Sequence, residues 1–474
     1  MYPFIVSSKL EIRQYEFQQA ARMLAERMRR DDIRPGERIA VIGENSIDYL
    51  LTLAALWQME AVAVLMNTRF PQSQMISELN RVECRNVILL DPFPSLQSKF
   101  RDHGFSALTL DTAVEQFDEK IQPDKPRPNI LSEIKKTQPA TIIFTSGSSG
   151  NPKAALHSFG NHHFSAIGSN RNIPFARGDR WLLSLPLYHV GGLAIFFRAL
   201  TGGGAVFIPE QTGSLAAIIS ENNITHISLV ATQFFRLLQE TAGKSVLSRL
   251  KAILLGGSAI PASLIQQAVD RNLPIHTSYG STEMSSHITA TPQGAGPEIL
   301  QTSGKLLPFR EIKIAAEREI LVRGETLFQG YIEENSFVET VDADGWFHTG
   351  DTGIIDDSGY LTVTGRKDNM FISGGENIQP EEIEKHLYLI EDIEQAIVVK
   401  IENAEFGWRP AAFIKMKYSD TIDKTTIADF LKQYIAKFKI PDYFFPWPDA
   451  VPSPGIKENR RYLQKLAAKI LLDP

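Results

Sequence analysis

From residue 205 onward, short β-branched runs alternate with helical patterns. AVFIP (205–209) precedes SLAAIISEN (214–222), and ITHISLV (224–230) precedes ATQFFRLLQETAG (231–243). KAILL (251–255) precedes PASLIQQAVDRN (261–272), and PIHTSYG (274–280) follows. The first third shows the same alternation: RIAVIGE (38–44), SIDYLLTLAALW (46–57), AVAVLM (61–66) and NVILL (86–90). Strands alternating with helices predict an α/β chain with doubly wound sheets. In such sheets ligands bind beyond the carboxyl ends of the strands, where GGS (256–258) and YGSTE (279–283) fall.

The last hundred residues differ. LTVTGRKDNMFISGGENIQPEEIEKHL (361–387) runs through a polar turn into a helix with Pro380 near its start and acids in its first turn. QAIVVKI (395–401) and AAFIKMK (411–417) read as strands. TIADFLKQYIAKF (426–438) reads as a helix with Ile427, Phe430, Leu431, Tyr434 and Ile435 on one face. The pattern predicts a large unit over 1–367 and a small α+β unit over 368–474, with the boundary near GRKDN (365–369).

Composition narrows the function classes. Of 474 residues, 43% are apolar and 22% charged, and the formal net charge is −6, so nucleic acid is not an expected partner. Cys84 is the only cysteine, which excludes an internal disulfide and a cysteine-built metal site. The most hydrophobic stretch, 49–66, is interrupted by Thr52, Gln58 and Glu60. It reads as a buried helix and strand, not a membrane span. The start, MYPFIVSSKLEIRQYEF, lacks the marks of a signal peptide, so a cytoplasmic location is expected.

Chemistry concentrates in TIIFTSGSSGNPKAALH (141–157). Backbone N–H groups of a Gly/Ser loop can grip phosphate oxygens, and a lysine adds a point charge. The loop is not a Walker A motif. Pro152 stands where the second glycine belongs, and Ala154 follows Lys153 in place of Ser or Thr. Alone, a flexible turn explains it nearly as well.

TSGSSGNPK, YGSTE, GWFHTGD (345–351) and GRKDNMFISGGENIQPEEIE (365–384) together resemble the adenylate-forming family of acyl-CoA synthetases, aryl-CoA ligases and luciferases, in family order over roughly residues 11–460. LLSLPLYHVGGLAI, HISLVATQFFRLL, LKAILLGGSAIP and EFGWRPAAF are most similar to the o-succinylbenzoate–CoA ligase branch of menaquinone synthesis. The resemblance implies a two-step ATP-dependent acid–CoA ligase, with Mg²⁺, coenzyme A as co-substrate, a small carboxylic acid (o-succinylbenzoate in that branch) and a mobile small domain. An aromatic or medium-chain acid–CoA ligase and a non-catalytic nucleotide-binding relative are the alternatives. Oligomeric state is left open.

The resemblance also implies roles. Thr145, Ser146, Gly147 and Lys153 would hold the outer phosphates, Thr282 the α-phosphate and Glu283 the Mg²⁺. Gly256, Gly257, Ser258, Tyr279 and Gly280 would enclose adenine. Asp351, helped by Arg366, would accept the ribose hydroxyls. Asp368 would be the pivot of the small domain, and Gly374 and Gly375 would line the coenzyme A passage. His189 would line the acyl pocket and join Glu283 and Lys457 in catalysis. Arg236 would bind a distal carboxylate, although on its own pattern it is a solvated arginine. Lys457, in PSPGIKENRR (452–461), matches the family's C-terminal lysine with Ile456 inserted after Gly455. Lys439 is the competing lysine and reads as a capping or solvated residue.

Overall fold

A computed structural model describes residues 2–31, 33–110, 134–145, 152–209, 213–240, 246–333, 336–373, 376–403, 405–418, 422–449 and 460–472. Two large sheets face each other. The eight-stranded sheet runs, in spatial order, Ser336–Val338, Gly330–Glu333, Ala154–Ser158, Pro139–Phe144, Val62–Leu65, Arg38–Ile42, Asn86–Leu89 and Ser106–Thr109. From Pro139–Phe144 to Ser106–Thr109 its strands are parallel, and the other three join antiparallel. In the nine-stranded sheet, the parallel run His226–Leu229, Ala252–Leu255 and Ile275–Ser281 turns antiparallel at Ser286–Ala290.

The helices between the sheets explain the apolar stretches. Ile47–Gln58 is buried from Ile47 to Trp57, and Ser46 caps its N-terminus by accepting from the Tyr49 N–H. Val190–Gly202 is buried from Gly192 to Ala199. Both contribute to one core that also takes Ile39, Val41 and Ile143 from the first sheet and Trp181, Leu183 and Val206 from the second. A helix apolar on all sides can only sit inside such a sandwich. Trp57 packs against Phe159 and Phe197 at ring separations of 5.6 and 5.3 Å, and its indole N–H donates to the Ala140 carbonyl at 2.9 Å. Among the described residues no helix is long and apolar enough to cross a membrane.

The strands Glu311–Ile314, Glu319–Arg323, Phe347–Ile355 and Leu361–Arg366 form a separate antiparallel sheet that the α/β alternation did not announce. Beyond it, Ile393–Asn403, Gly407–Met416 and Tyr443–Pro446 make a three-stranded sheet covered by helices Pro380–Leu387, Lys424–Leu431 and Arg460–Leu472. The helix expected over 426–438 ends at Leu431. Ile427, Leu431 and Ile435 are buried, but Tyr434 is half exposed, because the chain turns before reaching it.

Candidate active site

The quoted loop joins the strands Pro139–Phe144 and Ala154–Ser158, and its neck is closed by Thr145 and Lys153. The Thr145 N–H donates to the Lys153 carbonyl at 2.8 Å, and the Lys153 N–H donates to Thr145 Oγ1 at 3.3 Å. The ends of the two strands are thus pinned to each other. Ser146 and Gly147 lie outside the described residues, as do Gly374, Gly375 and Lys457.

Past the neck, the strand carries His157, whose Nε2–H donates to the Thr282 carbonyl at 2.7 Å. Burial pushes this imidazole down to about 4, so it is neutral at pH 7. The strand behind the loop therefore grips the YGSTE turn directly. Gly280 permits the turn: a Cβ there would stand 2.1 Å from the Ser286 carbonyl oxygen, a backbone atom that cannot move aside. Glu283 is half-buried, and its backbone carbonyl accepts from the Phe328 N–H at 2.7 Å.

The YGSTE and GWFHTGD segments meet at Asp351. Tyr279 O–H donates to Asp351 Oδ2 at 2.6 Å, and Arg366 Nη1 donates to Oδ1 at 2.8 Å. The same guanidinium nitrogen donates to the Thr349 carbonyl at 3.0 Å, which fixes its plane. Burial, with the Asp351 charge, pushes the Tyr279 phenol well up, so it remains a donor. Below the turn, buried Glu319 accepts from the Gly350 N–H at 3.2 Å. Gly256 follows the adjacent strand. A Cβ there would come within 2.7 Å of Ser278 Oγ, which itself bonds the Leu255 carbonyl. Gly257 takes the left-handed region at φ 83°, and Ser258 is exposed beside it.

His189 precedes the helix Val190–Gly202. Its carbonyl accepts from the Gly192 and Leu193 N–H groups at 3.1 and 3.0 Å. Burial, then the Arg69 charge, pushes its imidazole down to about 4. Asp368 is exposed in the turn Lys367–Asn369, 3.5 Å from Arg366. On the far side of that turn, Gln379 Nε2 donates to the Arg366 carbonyl at 3.0 Å. Lys439 forms an ion pair with both oxygens of Glu382 at 2.8 and 2.7 Å, so it is a paired lysine, not a solvated one.

Arg236 is exposed, opposite the buried face Phe234, Leu237 and Leu238 of its helix. That is the solvated position its own helical pattern gives, so no buried charge stands at Arg236. Arg198 carries the feature that the sequence reading sought at Arg236. It is fully buried, stacks at 4.6 Å over Trp181 and donates to His287 Nδ1 at 2.8 Å. His287 is itself held neutral by burial and cannot compensate the charge. Among the described residues Arg310, buried nearby, bonds to the Pro308 carbonyl and to Ser165. Among the described residues neither arginine pairs with a carboxylate, and both guanidiniums are pushed down to about 9, chiefly by burial. The signal was available: an arginine in VGGLAIFFRALTG lies in a helix apolar on every side and so must be buried.

Residues 11–332 match the AMP-binding enzyme family. The chain is similar to the 2-succinylbenzoate–CoA ligase of Oceanobacillus iheyensis, 34% identical over 418 residues, covering 86% of this chain and 84% of that one. Its fold is similar to o-succinylbenzoate CoA synthetase from Bacillus subtilis in complex with the acyl-adenylate intermediate. That match has a TM-score of 0.83 and 28% identity, and covers 98% of this chain and 95% of the other. The Bacillus subtilis enzyme in complex with ATP and a magnesium ion matches with a TM-score of 0.82 at 28% identity, covering 98% and 96%.

Proposed function

The chain belongs to the AMP-binding enzyme family, and on that premise we propose that it is an ATP-dependent acid–CoA ligase acting on 2-succinylbenzoate in menaquinone synthesis. The observation that carries the nucleotide half is the convergence of Tyr279 and Arg366 on Asp351, which leaves a fixed carboxylate beside the adenine segment.

The reaction has two steps. A carboxylate oxygen attacks the α-phosphorus of ATP, and the bond to the bridging oxygen breaks, releasing pyrophosphate and leaving an acyl adenylate. The coenzyme A thiol then attacks the acyl carbon, loses its proton, and AMP departs. Both steps gather negative charge that fixed donors stabilise. Thr145, Lys153 and the loop amides receive the outer phosphates, Thr282 the α-phosphate, and Asp351 the ribose hydroxyls. Lys457 brings a cation to the phosphorus in the first step. Residues from 368 onward swivel about Asp368 between the steps, which brings Gly374 and Gly375 to the coenzyme A side. A cytoplasmic location suits these substrates.

The residues present fit Mg²⁺. Among the described residues no group of three or more His, Cys, Asp or Glu side chains is placed to hold a metal ion by itself, and Glu283 offers a lone hard oxygen donor. That matches an ion that completes its shell with phosphate oxygens and water. Glu283 would hold Mg²⁺, which would supply positive charge against the departing phosphates.

Arg198 supports a second carboxylate on the substrate. A guanidinium buried without an acid costs free energy that a dicarboxylate ligand recovers. His189, neutral at the N-terminus of the helix that carries Arg198, would line the acyl pocket without adding charge.

Pyrophosphate release over a panel of carboxylic acids tests the reading. Release with 2-succinylbenzoate well above that with benzoate or medium-chain fatty acids is expected. Equal release with the monocarboxylates would displace the assigned substrate, and absence of any carboxylate-dependent release would remove the activity altogether.

A further inference from the structure

Glu283 and Lys153 carry opposite charges on neighbouring segments, yet they do not form an ion pair with each other. Tyr331 stands between them. Its hydroxyl donates to Glu283 Oε1 at 2.6 Å, and its ring lies 4.8 Å from the Lys153 ammonium. The register explains the placement. Strand Gly330–Glu333 pairs antiparallel with Ala154–Ser158, with Tyr331 opposite Ala155, two residues past Lys153. On its other side the ring packs on Phe328 at 4.8 Å, and the Phe328 N–H holds the Glu283 carbonyl. One nearly buried aromatic residue therefore touches both charged groups assigned to the triphosphate.

We infer that Tyr331 is a positioning residue for nucleotide activation, orienting the Glu283 carboxylate through its hydroxyl and parking the Lys153 ammonium on its ring. The inference rests on the ligase reading above. A direct Lys153–Glu283 pair would neutralise both groups before substrate arrived. The phenol prevents this while leaving each group a free side. It occupies one lone pair of Oε1, so Glu283 keeps its second oxygen for a cation. The ring face holds the exposed ammonium by a contact weak enough to be exchanged for a phosphate oxygen.

A buried tyrosine whose hydroxyl has merely found the nearest acceptor would show the same distances, so the test separates the two roles. Calorimetry measures ATP binding to the full chain with Mg²⁺ and with EDTA, alongside AMP binding and a thermal melt. Tyr331→Phe keeps the ring and removes the hydroxyl. Its expected signature is a loss of about tenfold in ATP affinity in Mg²⁺, with ATP affinity in EDTA, AMP affinity and melting temperature little changed. Tyr331→Leu also removes the ring face, and weakens ATP in EDTA as well while sparing AMP, which lacks the outer phosphates. An unchanged Mg²⁺ effect in Tyr331→Phe, or parallel losses for ATP and AMP with a lowered melting temperature, would overturn the inference. A wild-type chain that binds no ATP, or binds it equally well after Lys153→Ala and Glu283→Ala, would instead remove the reading beneath it.

Discussion

The hydroxyl of Tyr279 and the carboxylate of Asp351 are hydrogen-bonded at 2.6 Å across 72 residues of chain. This single contact ties the end of a strand in the nine-stranded sheet to the antiparallel sheet of residues 311–366. Arg366 holds the other carboxylate oxygen, so Asp351 cannot rotate without breaking charged contacts. Asp351→Asn keeps the shape but turns an amide towards two donors. AMP affinity, read by calorimetry, is expected to fall by about tenfold to a hundredfold, the worth of hydrogen bonds to a charged group. Tyr279→Phe removes one donor and is expected to cost less. Wild-type AMP affinity in Asp351→Asn would show that the ribose lies elsewhere.

A second prediction concerns pH. Burial pushes His157, His163 and His226 from the ordinary 6.5 down to about 4, and burial with the Arg69 charge does the same to His189. A histidine neutral in the folded state but protonated when unfolded binds more protons unfolded. Its contribution is therefore complete above pH 6.5 and is lost as pH falls from 6.5 towards 4. Denaturant midpoints are expected to be flat from pH 7 to pH 8 and to decline steadily below about 6.5. His157→Gln, which keeps a donor for the Thr282 carbonyl, is expected to make that decline shallower. A decline of unchanged steepness would mean that His157 is not held neutral.

Much of this arrangement was legible because it is local. The Thr145–Lys153 neck, the YGSTE turn and the GGS turn each announce themselves by glycines and hydroxyls packed against an apolar run. Other parts were not legible, for identifiable reasons. The hairpin joining Glu311–Ile314 to Glu319–Arg323 turns through Glu317 and Arg318, both with left-handed backbone at φ 59° and 61°. Glycine or asparagine there would have marked the turn, whereas a glutamate and an arginine concealed it. Partnerships across long separations were equally hidden. Tyr331 lies 48 residues from Glu283 and meets it only because of strand register. The two arginines differ by the pattern of the helix that carries each. Arg236 sits on a helix with a polar face, and Arg198 on one without.

That contrast yields a third prediction. Arg198→Met is expected to lower kcat/KM for 2-succinylbenzoate by about a hundredfold, the loss of a charged bidentate contact, and to narrow its preference over benzoate. Removing a buried cation that has no acidic partner among the described residues is expected to leave thermal stability unchanged or raised, since replacing such charges with apolar side chains is often stabilising. Arg236→Ala, at the surface, is expected to change neither property. Loss of selectivity in Arg236→Ala with wild-type selectivity in Arg198→Met would restore the original assignment.

The last prediction separates two lysines near the C-terminus. Lys439 is held by both oxygens of Glu382 and is only 20% exposed, so freeing it to reach a phosphate would break a paired contact. Lys457 lies outside the described residues, and its assignment rests on the GIK sequence. Lysine acting on the α-phosphate stabilises charge only while the phosphorus is five-coordinate, in the first step. The second step passes through a tetrahedral acyl carbon, with the nucleotide already monophosphate. Lys457→Ala is therefore expected to reduce carboxylate-dependent pyrophosphate release by about a hundredfold or more, the scale of a lost charge-stabilising donor. Thioester formation from supplied acyl adenylate is expected to stay near wild type. Lys439→Ala is expected to spare both half-reactions and to lower the melting temperature slightly. Equal losses in both half-reactions for Lys457→Ala would dissolve the division of labour between the steps, and a selective adenylation defect in Lys439→Ala would transfer the role to that lysine.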